Sequence, residues 1–106
     1  MKIFVSGLLN IETTVKVRQF PINYYPIDYP FFGVNSAVSG VGYNISKALK
    51  TLGDEVNLNS FIGCDDEAKR IKDTLIRDNI SVKELSSSIK STPASVVLYD
   101  ESGKRQ

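Results

Sequence analysis

The chain has 106 residues, a length that fits one domain and excludes two, because domains cluster around roughly 100–150 residues. Hydrophobic residues make up 42% and charged residues 24% of the sequence, a balance that excludes a disordered tail or a membrane protein as the default class. The formal net charge is +1, which argues against a protein that binds nucleic acid or an acidic membrane surface.

The cysteine and histidine content narrows the chemistry further. The sequence has one cysteine, Cys64, and no histidine, so it cannot form an internal disulfide or an ordinary zinc site. Without histidine, any catalysis would depend on carboxylates, lysine, tyrosine or backbone dipoles. The apolar N-terminal stretch is broken by Ser6, Gly7 and Asn10, which makes it too short for a signal peptide or a membrane span. These features predict a cytoplasmic protein.

The first third of the chain is predicted to contain two strands and an irregular segment. Residues 3–5 form a short apolar run typical of a buried strand, and residues 13–18 are rich in β-branched side chains typical of a more exposed one. Residues 20–32 hold six of the ten aromatic residues and three of the four prolines, which excludes a helix and leaves an edge strand or a loop. We interpret this aromatic segment as a binding surface, a dimer contact or a lid, with packing over a neighbouring sheet as the simpler alternative.

From residue 40 onward, helices and strands alternate. A first helix is predicted up to Gly53, a strand at residues 56–62, a second helix from Asp65 or Asp66 to about Arg77, and a strand at residues 94–99. Helical spacing predicts the inner faces as Val41, Ile45, Ala48, Leu49 and Leu52 in the first helix and Ala68, Ile71 and Leu75 in the second. Strands joined by helices in this way predict an α/β fold built on a parallel sheet.

Three polar stretches follow predicted strands, at the sheet edge where ligands bind in open α/β folds. They are residues 10–12, residues 39–44 and residues 63–65. The Gly40-Val41-Gly42 turn would let a ligand approach the backbone closely, and the helix N-terminus behind it presents unpaired N–H groups. The turn lacks the third glycine of a dinucleotide fingerprint and the Gly-Lys-Ser/Thr of a P-loop, so both of these nucleotide motifs are excluded.

The side chains in these stretches suit a polyol. Asn10, Glu12 and Asn44 supply two amides and one carboxylate, which can donate to and accept from vicinal hydroxyl groups. Each residue also has a simpler explanation: Asn10 as a turn residue, Glu12 as a solvated charge, and Asn44 as a polar group in a first helical turn. The spacing leaves both interpretations open.

Longer motifs point to a family. Residues 39–53, SGVGYNISKALKTLG, followed by residues 61–66, FIGCDD, resemble the N-terminal signature of the ribokinase-like (PfkB) carbohydrate kinases. That signature is Gly-Gly, three residues, Asn, a helix ending in Leu-Gly, a strand, and Gly-x-Asp. Residues 5–12, VSGLLNIE, resemble the family's first strand with its Asn-x-Asp element, and residues 92–103, TPASVVLYDESG, are similar to the strand and turn that follow. These matches run through nearly the whole chain in the family's order.

The resemblance implies a ribokinase-like α/β fold with a small β lid. Residues 1–106 would be the N-terminal part of one such domain, incomplete in this chain, and residues 13–38, approximately, would contribute to the lid. The implied substrate-binding residues are Asn10, Glu12, Gly40, Gly42 and Asn44. Ser95 and Val97 would lie on a strand near the sugar, although alternation does not decide which of the two faces it. The lid is also a candidate homodimer contact, as in many relatives.

The sequence departs from the family pattern at four positions. Ser39 stands for the first glycine of the pair, Glu12 for an Asp, Ser46 for an Ala, and Ala68 for a Gly after Gly-x-Asp. These departures leave the identity of the sugar open. The family's catalytic Asp, its Gly-Ala-Gly-Asp anion hole and its ATP site lie in its C-terminal half, and no segment here resembles them. We therefore assign no catalytic, cofactor-binding or metal-ligating residue to this chain, and ATP and Mg²⁺ are implied only for the complete enzyme.

Two functional classes, and a third possibility, follow from these observations. The leading hypothesis is the N-terminal portion of an ATP-dependent sugar or nucleoside kinase, which carries the sugar half-site and the lid and is inactive alone. The alternative is a non-catalytic module that binds a small molecule or associates with itself through the aromatic segment. A truncated gene product that merely retains the pattern is the third. Asp65 and Asp66 could substitute for the missing base, but we expect them to cap the second helix instead.

Overall fold

The computed structural model describes all 106 residues, which form six strands and two helices. In chain order these are β1 (Lys2–Ser6), β2 (Asn10–Lys16), β3 (Val34–Ser39), α1 (Val41–Thr51), β4 (Glu55–Phe61), α2 (Asp66–Arg77), β5 (Leu85–Ser86) and β6 (Ala94–Tyr99). The strands divide between two three-stranded sheets. Neither helix is long and apolar enough to cross a membrane.

The first sheet has the order β1-β4-β5, and both of its strand pairs are parallel. In this sheet Ile3 pairs with Val56 and Val5 with Leu58. Helix α2 forms the crossover from β4 to β5, and α1 ends just before β4. The predicted α/β fold with a parallel sheet is therefore confirmed.

The second sheet has the order β3-β2-β6, with β2 antiparallel to β3 and parallel to β6. Strand β6 has the predicted bounds. Strand β2 begins at Asn10 rather than at residue 13, because the N–H of Ile11 donates to the carbonyl of Pro93 (3.1 Å) and Asn10 pairs with Ser39. Strand β3 was not expected from the sequence, since most of its residues are exposed and its apolar side chains do not alternate regularly.

The core lies between the first sheet and the helices. Helix α2 presents Ala68, Ile71 and Leu75 to it, as predicted from their spacing. The other core residues come mainly from β4, the connections next to it and the start of β2: Leu9, Ile11, Val56, Leu58, Ile62 and Ile80, joined by Tyr43 of α1. Burying one such large aliphatic side chain stabilises a fold by roughly 1.5–3 kcal/mol.

The predicted inner stripe of α1 is wrong for most of its residues. Val41, Ile45 and Leu52 are 64%, 47% and 79% exposed, whereas Gly42, Tyr43 and Ser46 are buried. Of the predicted set, Leu49 packs against the core. The helix is rotated away from its apolar stripe because Gly42 lies in backbone contact with the chain after β1, and its N–H donates to the Leu8 carbonyl (3.0 Å).

Tyr43 joins the two helices. Its hydroxyl donates to a carboxylate oxygen of Asp78, the C-cap residue of α2, at 2.7 Å. Burial, followed by the hydrogen bond to Asp78, raises the pKa of Tyr43 to about 12. The phenol therefore remains a protonated donor at neutral pH, and the tie between α1 and α2 persists.

A junction around Asp65 holds β6 in place. Asp65 is the N-cap of α2, and one of its oxygens accepts from the Ala68 N–H (3.0 Å) and from the Thr92 hydroxyl (2.5 Å). Its other oxygen accepts from the Thr92 N–H (2.8 Å), and the Gly63 N–H donates to the Thr92 hydroxyl (3.0 Å). These hydrogen bonds, that of the Thr92 side chain foremost, hold the pKa of Asp65 below its usual value of 3.8. The expected capping role is confirmed for Asp65.

The aromatic segment, residues 20–32, contains no helix, as predicted, and is a loop of bends and turns. The Arg18 guanidinium folds it back onto the end of the second sheet, because it lies 4.4 Å from the centroid of the Tyr25 ring and 3.1 Å from the Asp28 carboxylate. The most exposed side chains of the segment are Tyr24, Ile27, Tyr29, Phe31 and Phe32.

We expect Ser46→Ala to raise the free energy of unfolding by about 1 kcal/mol. The Ser46 hydroxyl is fully buried and has no hydrogen-bond partner, so folding removes it from water without compensation. Urea denaturation measures the change. Thr51→Ala in the same helix is the control for helix propensity, because the Thr51 hydroxyl is exposed and already donates to the Lys47 carbonyl. A stability of Ser46→Ala equal to or below that of the wild type would contradict the prediction.

We expect Asp65→Asn to make stability less dependent on pH in the acid range. Because the pKa of Asp65 is lower in the folded chain than in the unfolded one, its contribution is complete well above pH 3.8 and is lost as the pH falls through the folded value. The stability difference between wild type and variant should therefore shrink below about pH 4. Urea denaturation between pH 7 and pH 3 measures it, with Asp66→Asn as the control in the same turn. A difference that is constant with pH would contradict the prediction.

Candidate functional site

One face of the second sheet collects the polar side chains that the sequence singled out. In the paired register, Asn10 lies opposite Ser39 of β3, and Glu12 lies opposite Ser95 of β6. Side chains of paired residues point to the same side of a sheet, and alternate residues share a face. We call this surface, defined by Asn10, Glu12, Ser39 and Ser95, the polar face.

The register also decides the orientation of β6. Thr14 pairs with Val97, so Ser95 and Val97 both lie on the polar face. The opposite face carries Ile11, which is part of the core, and Ser36, which is hydrogen-bonded to Arg70 of α2. The side that faces away from the core is therefore the one that carries the polar residues.

Asn10 is the most deeply buried member of the polar face, at 7% exposure. Its Nδ2 donates to the hydroxyl of Ser95 at 2.8 Å. Its Oδ1 is buried and has no hydrogen-bond partner in the chain. Buried polar atoms are nearly always paired, so this oxygen is an acceptor for which the chain itself supplies no donor.

Glu12 lies two residues further along β2 and is half-buried. Its Oε2 accepts a long hydrogen bond from the Ser39 hydroxyl, at 3.4 Å. Ser39 directly precedes Gly40, so this contact connects the carboxylate to the start of α1. Ser39 belongs to the polar stretch at residues 39–44 but is not among the five predicted substrate-binding residues. The sequence feature that could have indicated a role for Ser39 is that both Ser39 and Glu12 differ from the family pattern.

The glycines at the start of α1 are required by packing within the chain. Gly40 has a φ of 105°, and a Cβ there would lie 2.3 Å from the Leu8 carbonyl oxygen. A Cβ on Gly42 would lie 2.7 Å from the carbonyl carbon of Gly7. The connection between β1 and β2 therefore crosses the helix start in backbone contact. This explains the Gly-x-Gly spacing without a ligand.

Asn44 lies in the first turn of α1, and its side chain is exposed. Its backbone N–H donates to the Gly40 carbonyl (2.9 Å), while the Asn44 amide group makes no hydrogen bond in the chain. Of the five predicted substrate-binding residues, the structure brings Asn10 and Glu12 onto one face and connects them to Gly40 through Ser39. Gly42 faces the Gly7–Leu8 backbone, and Asn44 is held one helical turn from Gly40.

The other grooves of the chain hold no cluster of metal ligands. No group of three or more Cys, Asp or Glu residues lies close enough together to hold a metal ion. The largest groove, of about 680 Å³, is lined by residues at the start of β4 and the ends of both helices, away from the polar face. A smaller pocket of about 260 Å³ extends the polar face itself and is lined by Thr14, Val97, Tyr99, Gly103 and Arg105.

Similarity to known proteins is found in the structure of the chain and not in its sequence. No family model and no curated protein matches the chain. A microbiome-derived acarbose kinase matches with a TM-score of 0.85 and 23% identity, over 99% of this chain and 34% of the kinase. The Methanocaldococcus jannaschii nucleoside kinase, an archaeal member of the ribokinase family, matches with a TM-score of 0.82 and 23% identity, over 99% and 35%. The Cryptococcus neoformans ribokinase in complex with ADP matches with a TM-score of 0.77 and 20% identity, over 97% and 31%.

These matches test the resemblance seen in the sequence. They include nearly every residue of this chain, and the chain spans about a third of the length of the kinases it matches. The similarity to ribokinase-like kinases is confirmed at the level of the fold, including both sheets and both helices. The chain therefore has the fold of a part of the ribokinase-like kinases.

Proposed function

We propose that this chain is the substrate-binding part of an ATP-dependent carbohydrate kinase that phosphorylates a hydroxyl group of a sugar or nucleoside. The observation that carries the proposal is a pair of acceptors on the polar face within a ribokinase fold: the unpaired Asn10 Oδ1 and the Glu12 carboxylate, which receives only one long hydrogen bond, from Ser39. The similar structures include an acarbose kinase and a nucleoside kinase, which supports both substrate classes.

The chemistry of the polar face suits vicinal hydroxyl groups. Asn10 and Glu12 are separated by one residue on β2, so their side chains project in the same direction about 7 Å apart along the strand. A carboxylate accepts only, and the free atom of Asn10 is an acceptor, so both residues would receive hydrogen bonds from substrate hydroxyls. Asn44, exposed in the first turn of α1, can add a donor from its side-chain amide.

Residues 13–38 and β6 would act as a lid over the bound substrate. This part of the second sheet extends beyond the core, and its face continues from Glu12 through Thr14 and Val97. Closure of such a lid excludes water from the reacting groups. The exposed aromatic side chains of residues 20–32 would supply the apolar area of a homodimer contact, the second role that the resemblance implies for the lid.

ATP and Mg²⁺ belong to the proposed reaction but are not assigned to residues here. The ADP complex of the Cryptococcus neoformans ribokinase supports ATP as the phosphoryl donor. The carboxylates of this chain do not fit the metal, since they form no cluster, and Asp65 is fully engaged by Ala68 and Thr92. What these residues supply is the positioning of the acceptor hydroxyl, one component of phosphoryl transfer. The single unpaired cysteine fits the reducing, cytoplasmic setting of such an enzyme.

The alternative of a non-catalytic module has less support. It depends on the aromatic segment alone, whereas the structural similarity to kinases extends over 99% of the chain. The proposed lid with its homodimer contact also explains why these aromatic residues are exposed.

We expect Glu12→Ala and Asn44→Ala, made in the complete kinase, each to weaken substrate affinity by about 1–3 kcal/mol, because each removes a hydrogen bond to a substrate hydroxyl. Steady-state kinetics on a panel of sugars and nucleosides would measure the change in KM. Glu67→Ala, an exposed carboxylate in the first turn of α2, is the matched control. Unchanged KM and kcat in both site variants would show that these residues do not bind the substrate.

We expect purified residues 1–106 to show no sugar-dependent ATP turnover, because the chain contains no residue assigned to the base, the nucleotide or the metal. A coupled ADP-release assay on the same panel, with the complete kinase as the positive control, would measure this. Robust substrate phosphorylation by residues 1–106 would overturn the expectation.

A further inference from the structure

We propose that the far end of the polar face is a subsite for an anionic group of the substrate, a carboxylate or a phosphate, which Arg105 binds. The inference rests on the proposed function and narrows its substrate class to sugars that carry a negative charge. It begins from the pocket of about 260 Å³ that continues the polar face beyond Glu12 and is lined by Thr14, Val97, Tyr99, Gly103 and Arg105.

The backbone places Arg105 on the polar face. After the turn at residues 101–102 the chain returns antiparallel to β6, and Arg105 is the bridge partner of Tyr99. Tyr99 also pairs with Lys16 of β2. Because the side chains of paired residues lie on the same side of a sheet, these three residues form a row across the polar face, two positions beyond Thr14.

The Arg105 guanidinium has no carboxylate partner in the chain. The three ion pairs of the chain join other groups. The carboxylate of Asp100 is engaged in the turn, where one of its oxygens accepts from the Ser102 N–H (3.0 Å), the Ser102 hydroxyl (2.6 Å) and the Lys104 N–H (3.0 Å). The next carboxylate, Glu101, lines a separate pocket beside Lys16. The positive charge of Arg105 is therefore available to a ligand.

The chemistry of these side chains favours an anion. A guanidinium keeps its charge at every physiological pH, and its planar set of donors matches the two oxygens of a carboxylate or a phosphate. The hydroxyl of Tyr99, which lines the same pocket, is a second donor that can reach such a group. A neutral ligand group would use the hydrogen bonds of Arg105 but not its charge.

Opposite charges at the two ends of the polar face set the direction of the substrate. The Glu12 carboxylate repels an anion and accepts from hydroxyl groups, so the charged end of the substrate must lie toward Arg105. Thr14, which lines the Arg105 pocket, is two residues from Glu12, or about 7 Å along the strand. A single sugar spans this distance, with its hydroxyls at Glu12 and its anionic group in the pocket.

The test uses the complete kinase and sets of substrates that share a carbon skeleton: the neutral sugar, the corresponding sugar acid and a phosphate monoester of the sugar. We expect the wild type to have a kcat/KM for one anionic member that is at least about 10-fold above that for the neutral member. Preference for the acid identifies a carboxylate as the bound group, and preference for the monoester identifies a phosphate.

We expect Arg105→Gln to lower kcat/KM for the preferred anionic substrate about 10- to 100-fold, and for the neutral sugar by less than about 3-fold. Arg105→Lys keeps the charge without the planar pair of donors, so its kcat/KM should lie between those of the wild type and Arg105→Gln. Lys104→Gln is the matched control. It removes the same charge from the neighbouring residue, which does not line the pocket, and should behave as the wild type does.

Three results would overturn the inference while leaving a working sugar kinase. They are a wild-type kcat/KM for the neutral sugar that equals or exceeds those for both anionic members, equal losses for neutral and anionic substrates in Arg105→Gln, and an unchanged preference in Arg105→Gln. Phosphorylation of no sugar or nucleoside by the wild type would instead overturn the proposed function itself.

Discussion

Backbone contact between the β1–β2 connection and the start of α1 is the constraint on which the rest of the structure depends. Gly40 and Gly42 have no space for a Cβ against the backbone of Gly7 and Leu8, and the Gly42 N–H donates to the Leu8 carbonyl. The connection leads from the first sheet into β2, and α1 follows β3 directly. One contact therefore fixes the relative positions of both sheets and the helix, and it places Glu12 and Ser39 beside the helix start.

A second junction fixes the other side of the polar face. Asp65 caps α2 and simultaneously holds the chain at Thr92, just before β6. Because Ser95 follows Thr92 by three residues, the Asp65 side chain thus determines where Ser95 lies in the second sheet. This explains why a Gly-x-Asp motif is needed here without any catalytic role: Gly63 admits the Thr92 backbone, since a Cβ would lie 2.6 Å from its nitrogen, and the carboxylate fastens it.

The sequence predicted those elements whose burial follows their own periodicity. The inner face of α2 is of this kind, because its helical spacing matches the buried side chains Ala68, Ile71 and Leu75. Strand β6 was predicted with the correct bounds from its run of β-branched and apolar residues, although none of its side chains is fully buried. The apolar spacing did not predict the buried face of α1. There Gly42 packs against the backbone of Gly7 and Leu8, and Val41 and Leu52 are exposed as a result. The sequence pattern also did not predict β3, because that strand forms by pairing with β2 and most of its side chains are exposed. The contact between Asn10 and Ser95 depends on register across 85 positions, which local patterns do not contain.

Glu12 and Ser39 both depart from the family pattern, and in the structure they contact each other. A glutamate reaches one methylene further than an aspartate, and the serine that replaces a glycine supplies the hydroxyl that meets it at 3.4 Å. This contact occupies Oε2 and leaves the other carboxylate oxygen free, as Ser95 occupies Nδ2 of Asn10 and leaves Oδ1 free. Each of these two side chains therefore contacts a serine from a neighbouring strand, which restricts its movement. Such restriction lowers the conformational entropy that a flexible side chain would lose on binding a ligand.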